Sequence, residues 1–436
     1  LAFHVIYYLN LRNGQTRHAE CAIVCAAVVR KQVSHSRLHR ICKIIDGVLS
    51  RHGFELSGAR KELAIKDSIS RSQVHRYQRI AILGAGSWGT AIAVVLARNG
   101  HQVHLWARRP ALAQGINQTR QNAEYLAGID LPDGLVATSD LAEALAGAQV
   151  VVMATPSSTL RTMCRDMAPH LPPDIPIALA CKGVERGTGY LLSEVVTEEN
   201  PGHPVGAISG PTFARETALD HPTAATVAFQ FRYADRLEIE ASPAVRLALS
   251  LSGGGFRPYV SDDLVGVEVG GAVKNVIAIA CGMMSGAGFA ENTRAALITR
   301  GTDEMKRLAQ ALGGRRETVT GLSGSGDLTL TCSSTTSRNM SLGHQLGQGI
   351  ARADCFEGRG VVVEGEVNAV SVCDLARRVN VPMPICETVN AVLHKGADLQ
   401  DAFAELWTRP IEAEPFALDI SLSHPSPDLV LPFGKS

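Results

Sequence analysis

The sequence predicts an α/β domain built on a mostly parallel sheet, followed by an all-α C-terminal domain. Three observations lead there. Ile82 to Pro110 reads as strand, glycine turn, helix and strand in one short stretch. Continuous apolar runs with polar exits then recur: Val150 to Ala154 before Thr155-Pro156-Ser157, Pro176 to Ala180 before Cys181-Lys182-Gly183, and Pro204 to Ile208 before Ser209-Gly210-Pro211-Thr212. Such runs suit parallel strands covered on both faces, whose ligands sit outside the carboxyl ends. Beyond Leu264 the apolar period becomes helical. Val265 to Met284 predicts a long buried helix, and 290–312, 337–350, 364–379 and 386–395 predict four more.

The first unit justifies itself residue by residue. Gly84, Gly86 and Gly89 stand at G-x-G-x-x-G spacing after the strand Ile80 to Leu83. Gly84 permits a tight turn, Gly86 has no side chain to hold a pyrophosphate off the backbone, and Gly89 lets the helix close on the sheet. The free N–H groups of the helix start favour phosphate. Alone the motif is weak, and its bland reading is a glycine-rich turn. Here the helix Thr90 to Arg98, the closing Asn99-Gly100 and the strand Gln102 to Trp106 supply the context of a Rossmann-type dinucleotide site. An NAD site usually carries a carboxylate after that second strand. This chain carries Ala107-Arg108-Arg109 instead. Two guanidinium groups suit a 2′-phosphate, so NADPH/NADP is expected to be preferred, with NADH/NAD as the other coenzyme. The bland reading is a solvated arginine pair.

Composition sets the bounds. At 436 residues, with 45% apolar and 19% charged, the chain is globular and long enough for two domains. Its formal net charge is zero, but residues 1–77 hold 13 Lys/Arg against 5 Asp/Glu. No apolar run reads as long enough to span a bilayer, so a soluble cytoplasmic protein without membrane insertion or nucleic-acid partner is expected. The ten cysteines are scattered without a C-x-x-C, which suits free thiols in a reducing compartment. No cluster has metal-ligand spacing, so no metal is expected. Residues 1–78 read as an atypical basic extension, disordered or non-native, with a transit peptide as the other reading. Residues 79–265 form the dinucleotide-binding domain, 266–411 the helical substrate domain, and 412–436 an aperiodic Pro-rich tail expected to be disordered.

Two clusters carry chemistry. Lys274 lies in GGAVKNVIAIACGMM, midway along the apolar helix. Burying its cation there is costly, so it either snorkels to water or serves a polar site as proton donor or acceptor. Asn275 beside it is either a satisfied core amide or a ligand group. The second cluster is GLSGSGDLTLTCSSTTSRN, Gly321 to Asn339, whose N–H groups, hydroxyls and Arg338 suit a phosphate. Asp327 within it could pair with Lys274. The bland reading is a flexible Ser/Thr/Gly linker.

These stretches, with WARRP, CKGVE, SGPTFARE, NTRAALITRG and VVVEG in the same order, resemble the NAD(P)-dependent glycerol-3-phosphate dehydrogenases, the bacterial type closely, over residues 79 to 412. The resemblance implies reduction of dihydroxyacetone phosphate to sn-glycerol 3-phosphate, the phospholipid backbone precursor, by a homodimer. It places Gly84, Gly86, Ser87, Trp88, Gly89, Arg108, Arg109, Lys182, Ala214, Arg338, Val362 and Glu364 at the coenzyme. It places Lys182, Gly210, Thr212, Lys274, Asp327, Ser337, Arg338 and Asn339 at a small phosphate-ester substrate, with Thr331 near the same pocket. Lys274 would transfer the proton, aided by Lys182 and Asp327. Two stretches depart from the family: the first 78 residues, and Phe229 to Gly255, which reads as longer than usual. The rival readings are another two-domain dehydrogenase, acting on a hydroxy acid or sugar acid, and a non-catalytic dinucleotide sensor.

Overall fold

The structure is a computed structural model that describes residues 76–414, 418, 420–426, 428 and 430–433. The expectation for the basic extension falls almost wholly outside these residues. His75–Ser436 belong to one compact unit.

The glycine-turn unit forms as its pattern requires. β1 (Arg79–Leu83) leads into the helix Ser87–Arg98 and out to β2 (Gln102–Trp106). β3 (Leu135–Thr138), β4 (Val150–Met153), β5 (Ile177–Leu179), β6 (Val205–Ser209), β7 (Thr223–Phe229) and β8 (Phe256–Ser261) complete one sheet. Its order is β3-β2-β1-β4-β5-β6-β7-β8. All neighbours are parallel except β6 and β7, which run antiparallel. Period-two alternation explains the continuous apolar runs. Ile80, Ile82, Val150 and Val152 enter one core, while Ala81, Leu83, Val151 and Met153 enter the core on the opposite face. β3, β7 and β8 had no clear signal: β3, with an exposed Val136, and β8, with Pro258, lie on the sheet edges, and β7 is TAATVAF.

The last residues of the expected extension belong to the fold, and the Gln78 carbonyl accepts from the Gln102 N–H at 2.9 Å. Tyr77 is 1% exposed. Its N–H donates to Ser250 Oγ at 3.0 Å, and the Arg246 guanidinium lies 4.1 Å from its ring centre. The folded chain therefore starts before residue 79. The unusual stretch after Phe229 is also ordered. It forms the short helix Tyr233–Leu237 and the helix Pro243–Leu251, whose Leu247 and Leu251 are buried against the sheet.

The helical part is arranged around the central helix Leu264–Gly286. Its length and composition would allow it to cross a bilayer, contrary to the expectation that no segment reaches that length. Its most apolar stretch is 89% buried within the protein, which accounts for the composition. Helices Glu291–Ala311, Arg338–Gly347, Glu364–Arg378 and Pro384–His394 surround it. Against Arg338–Gly347 the backbones touch. A Cβ on Gly282 would lie 2.3 Å from the Met340 carbonyl oxygen, and one on Gly286 2.0 Å from that of His344. In return, a Cβ on Gly343 would lie 2.1 Å from the Ile279 oxygen, and one on Gly347 2.0 Å from that of Met283. Both helices thus carry glycines four residues apart on one face, which is what lets the axes approach.

The stretch Gly321–Asn339, whose bland reading was a flexible linker, is mostly helical. It makes a π-turn at Leu322–Gly326, the helix Asp327–Cys332 and the start of Arg338–Gly347. The Pro-rich tail also differs from an aperiodic segment in its described part. Ile411–Glu412 pair with Ser421–Leu422, and the Phe433 ring meets Phe289 edge-on at 5.1 Å.

Candidate active site

The carboxyl ends of β1, β4, β5 and β6 converge on the same side of the sheet. Gly84 turns out of β1 with φ +121, and a Cβ there would lie 2.7 Å from the Ala154 carbonyl after β4. A Cβ on Gly89 would lie 2.0 Å from the Gly84 oxygen, so the helix closes on its own turn. Beside Gly86 an added Cβ meets nothing within 4 Å. Backbone can therefore be approached there, at the N-terminus of a helix, which is what a pyrophosphate needs. Ser87 and Trp88 are the first residues of that helix and are half-buried. Ala214 opens the short helix Ala214–Ala218, and the side chain of Ala214 meets the same apolar core as Trp88.

The second group is ionic. Lys182 follows β5, Lys274 lies midway along the central helix, and Asp327 opens the helix Asp327–Cys332. One Asp327 oxygen accepts from Lys274 Nζ at 2.9 Å and the other from Lys182 Nζ at 2.5 Å. Lys274 also donates to Thr331 Oγ1 at 2.8 Å. Gly270, one turn before Lys274, permits this meeting, since a Cβ there would lie 2.8 Å from the Ser323 oxygen in the π-turn. Burial opposes ionisation of Asp327, but the charges of Lys182 and Lys274 and their hydrogen bonds outweigh it and hold its carboxyl below the usual range. Burial lowers the Lys274 ammonium, against the pull of Asp327, and Lys182 pushes the same way as burial. Lys274 does not snorkel. It points into a polar site, held by a carboxylate that two lysines share.

The third group lies alongside. Asn275, next to Lys274, accepts from Asn339 Nδ2 at 2.9 Å and donates to Glu364 at 3.2 Å. It is a satisfied core amide. Asn339 Oδ1 in turn accepts from the Gly365 N–H at 2.9 Å. Arg338 is exposed and donates to the Val362 carbonyl at 3.1 Å. Ser337 caps its helix by accepting from the Met340 N–H at 3.3 Å. Gly210 is buried after β6, and its carbonyl accepts from Thr212 Oγ1 at 3.2 Å. Pro211 of that loop would be 3.8 Å from a Cβ on Gly326, so the loop borders the Asp327 turn.

The fourth group holds what sequence reasoning missed. Arg108 and Arg109 are exposed at the β2 exit. Arg109 is ion-paired with Glu124, fifteen residues on, and its guanidinium lies 3.5 Å from the Tyr125 hydroxyl. A carboxylate thus stands at the β2 exit after all, brought by the loop rather than by the strand. The loop is pinned to the glycine turn. The buried Asn122 donates to the Ala85 carbonyl at 3.0 Å and to Thr90 Oγ1 at 2.8 Å. Ser87 Oγ donates to the Tyr125 carbonyl at 2.7 Å. The signal available was a lone polar Asn-x-Glu-Tyr after a helix, with no spacing to connect it to β2.

Comparison with known proteins follows the same line. Residues 79–234 match the family profile described as the NAD-dependent glycerol-3-phosphate dehydrogenase N-terminus, and residues 263–404 match that of its C-terminus. The chain is 47% identical over 335 residues to a Rhodospirillum rubrum protein named glycerol-3-phosphate dehydrogenase [NAD(P)+], covering 77% of this chain and 93% of that one. It is 45% identical to a Caulobacter vibrioides protein of the same name, over 78% of this chain and 99% of that one. A crystal structure of the Coxiella burnetii glycerol-3-phosphate dehydrogenase superposes with TM-score 0.71 at 39% identity, over 77% of this chain and 100% of that one.

Proposed function

The chain belongs to the family of NAD-dependent glycerol-3-phosphate dehydrogenases, and from that premise we propose how its residues work. It is an NAD(P)-dependent oxidoreductase that interconverts dihydroxyacetone phosphate and sn-glycerol 3-phosphate. We read the reductive direction as the working one, with NADPH preferred over NADH.

The observation that carries the reading is the shared carboxylate. Two ammonium groups on one carboxylate leave a net positive charge in a buried pocket, suited to an anionic substrate and a developing alkoxide. A bound nicotinamide supplies the hydride. An ammonium has three donors. Asp327 and Thr331 take two from Lys274, leaving one for the substrate's carbonyl oxygen. Lys274 donates the proton to that oxygen, its acidity raised by burial and by Lys182. Lys182, across Asp327, polarises the same oxygen, and Asp327 fixes the spacing of the two lysines. Arg338 and Asn339 hold the remote phosphate, with Ser337, Gly210 and Thr212 around it, and its binding orients the reacting carbon. Ser87, Trp88, Ala214, Val362 and Glu364 would hold the coenzyme, with the turn Gly84–Gly89 free to take its pyrophosphate. Arg108 and Arg109 would take a 2′-phosphate, and Arg338 and Lys182 would serve both ligands.

The test is direct. Purified protein given NADPH and dihydroxyacetone phosphate should oxidise the coenzyme with stoichiometric appearance of sn-glycerol 3-phosphate. Absence of turnover with either coenzyme would overturn the reading. On the family resemblance we further propose a cytoplasmic homodimer with no membrane or nucleic-acid partner, for which sedimentation gives the mass.

A further inference from the structure

We propose that Glu124 sets coenzyme discrimination, by holding the arginine that a 2′-phosphate requires. This rests on the coenzyme reading above. The geometry begins with the loop. Asn122 and Tyr125 are each hydrogen-bonded to the turn Gly84–Gly89 or to its helix, so residues 122–125 form a fixed edge of the dinucleotide turn. The Tyr125 N–H also donates to Asn122 Oδ1 at 3.3 Å, which stiffens the segment between them. Glu124 therefore projects from a held backbone toward the β2 exit, where the adenosine ribose of a dinucleotide lies in this fold.

There it meets Arg109. The two side chains are 50% and 48% exposed, so a ligand can reach both. The Arg109 guanidinium, with Tyr125 beside it, holds the Glu124 carboxyl low, and the pair is fully ionised at neutral pH. A 2′-phosphate approaching Arg109 must displace Glu124 and then stand beside its charge. A free ribose 2′-hydroxyl meets no such cost, because a carboxylate is a good acceptor for it. The pair thus lowers the advantage that two arginines would otherwise give to NADPH, and it keeps NADH usable. Arg108 is not engaged in this way and gives the phosphate its baseline attraction.

The experiment measures dissociation constants for NADPH and NADH by quenching of protein fluorescence. It uses the full chain as wild type, Glu124→Gln, Arg109→Ala and the double variant. Exposure of both side chains means the substitutions leave the fold intact, which circular dichroism checks. The ratio of the NADH to the NADPH constant should rise about three- to tenfold in Glu124→Gln, as expected for removing one charge from an exposed pair. The rise should shrink in high salt and should be clearly smaller in the Arg109→Ala background, where only the direct repulsion by the carboxylate is left. A ratio unchanged within about twofold, with both coenzymes still bound, overturns the role of Glu124 alone. So does a full rise that persists without Arg109. Failure of the wild type to bind either coenzyme overturns the coenzyme reading and this inference with it.

Discussion

At the scale of single residues, the site depends on charge placed where water is scarce. Lys274 is 7% exposed and Asp327 3%. An ammonium so buried is tolerated only because a carboxylate and a hydroxyl meet it. Lys274→Met should therefore lower turnover by on the order of 10²–10⁴, with coenzyme binding retained. A single-turnover assay together with a coenzyme titration separates the two. Lys274 stood out in the sequence because a cation midway along an apolar helix demands a reason. Its sharing of Asp327 with Lys182 was not legible, since the Lys182–Asp327 contact spans 145 residues. The same limit hid Glu124, whose value lies wholly in what the fold sets opposite it. A separate carboxyl shows its effect through pH. Glu268 is buried on the central helix and accepts from the Ser193 N–H at 2.9 Å and its hydroxyl at 2.5 Å. Burial, only partly offset by these bonds, pushes it up from 4.5 to about 7. Between those values the native state keeps a proton that the unfolded chain has released, so this group's contribution to stability falls as pH rises, then levels off above about 7. Glu268→Gln should gain on the wild type across that window, by on the order of 1–3 kcal/mol at its upper end. Urea midpoints at pH 5, 6, 7 and 8 measure the difference. Glu304, raised to about 7 by burial at the start of the helix Pro384–His394, keeps a similar slope in both proteins.

At the scale of elements, type was more legible than connection. The strands β1, β2, β4, β5 and β6 and six helices stand within a few residues of where period and composition put them. The strands that escaped are those with weak alternation or an edge position, which pair because their neighbours offer a free ladder. The π-turn at Leu322–Gly326 was open to a linker reading because glycine and serine favour turns, whereas in the fold it closes on Gly270 and Val319. The glycines of the central helix and of Arg338–Gly347 carry no sign of their partner in the sequence, because the contact is between helices far apart in the chain. Their role gives a prediction. In Gly343→Val the new Cβ would sit 2.1 Å from the Ile279 oxygen, so one helix must move. That should cost about 1–3 kcal/mol of stability. Because Asn339 lies one turn away on the same helix, bonded to Asn275, the Michaelis constant for the substrate should rise while the coenzyme constant stays near its native value. Steady-state kinetics with each ligand varied would reveal equal effects if the glycines served stability alone.

At the scale of the whole molecule, the folded chain needs residues ahead of β1. A chain starting at residue 75 should keep the stability and activity of the full protein. One starting at residue 79 lacks Tyr77, whose ring is fully buried and whose backbone N–H donates to Ser250 Oγ on the helix Pro243–Leu251. Loss of a buried aromatic costs about 3–5 kcal/mol. The two truncations, compared by urea unfolding, should differ by that amount. The stretch after Phe229 provides that contact through Arg246 and Ser250.

The carboxylate shared by two lysines has a consequence for exchange between relatives. Lys182 comes from the sheet, while Lys274 and Asp327 come from the helices. The arginines and glutamate at the β2 exit lie entirely in the sheet portion, and Ser337 to Asn339 entirely in the helical portion. On the proposed roles, the charges at the β2 exit can therefore be exchanged with the sheet portion alone. The grip on the phosphate cannot, because Gly210 and Thr212 join it from the sheet, and the proposed proton-transfer centre exists only where the two portions meet. A chimaera joined between Ser261 and Asp262 would inherit the coenzyme preference set at the β2 exit from one parent and would owe its rate to how faithfully the seam is rebuilt.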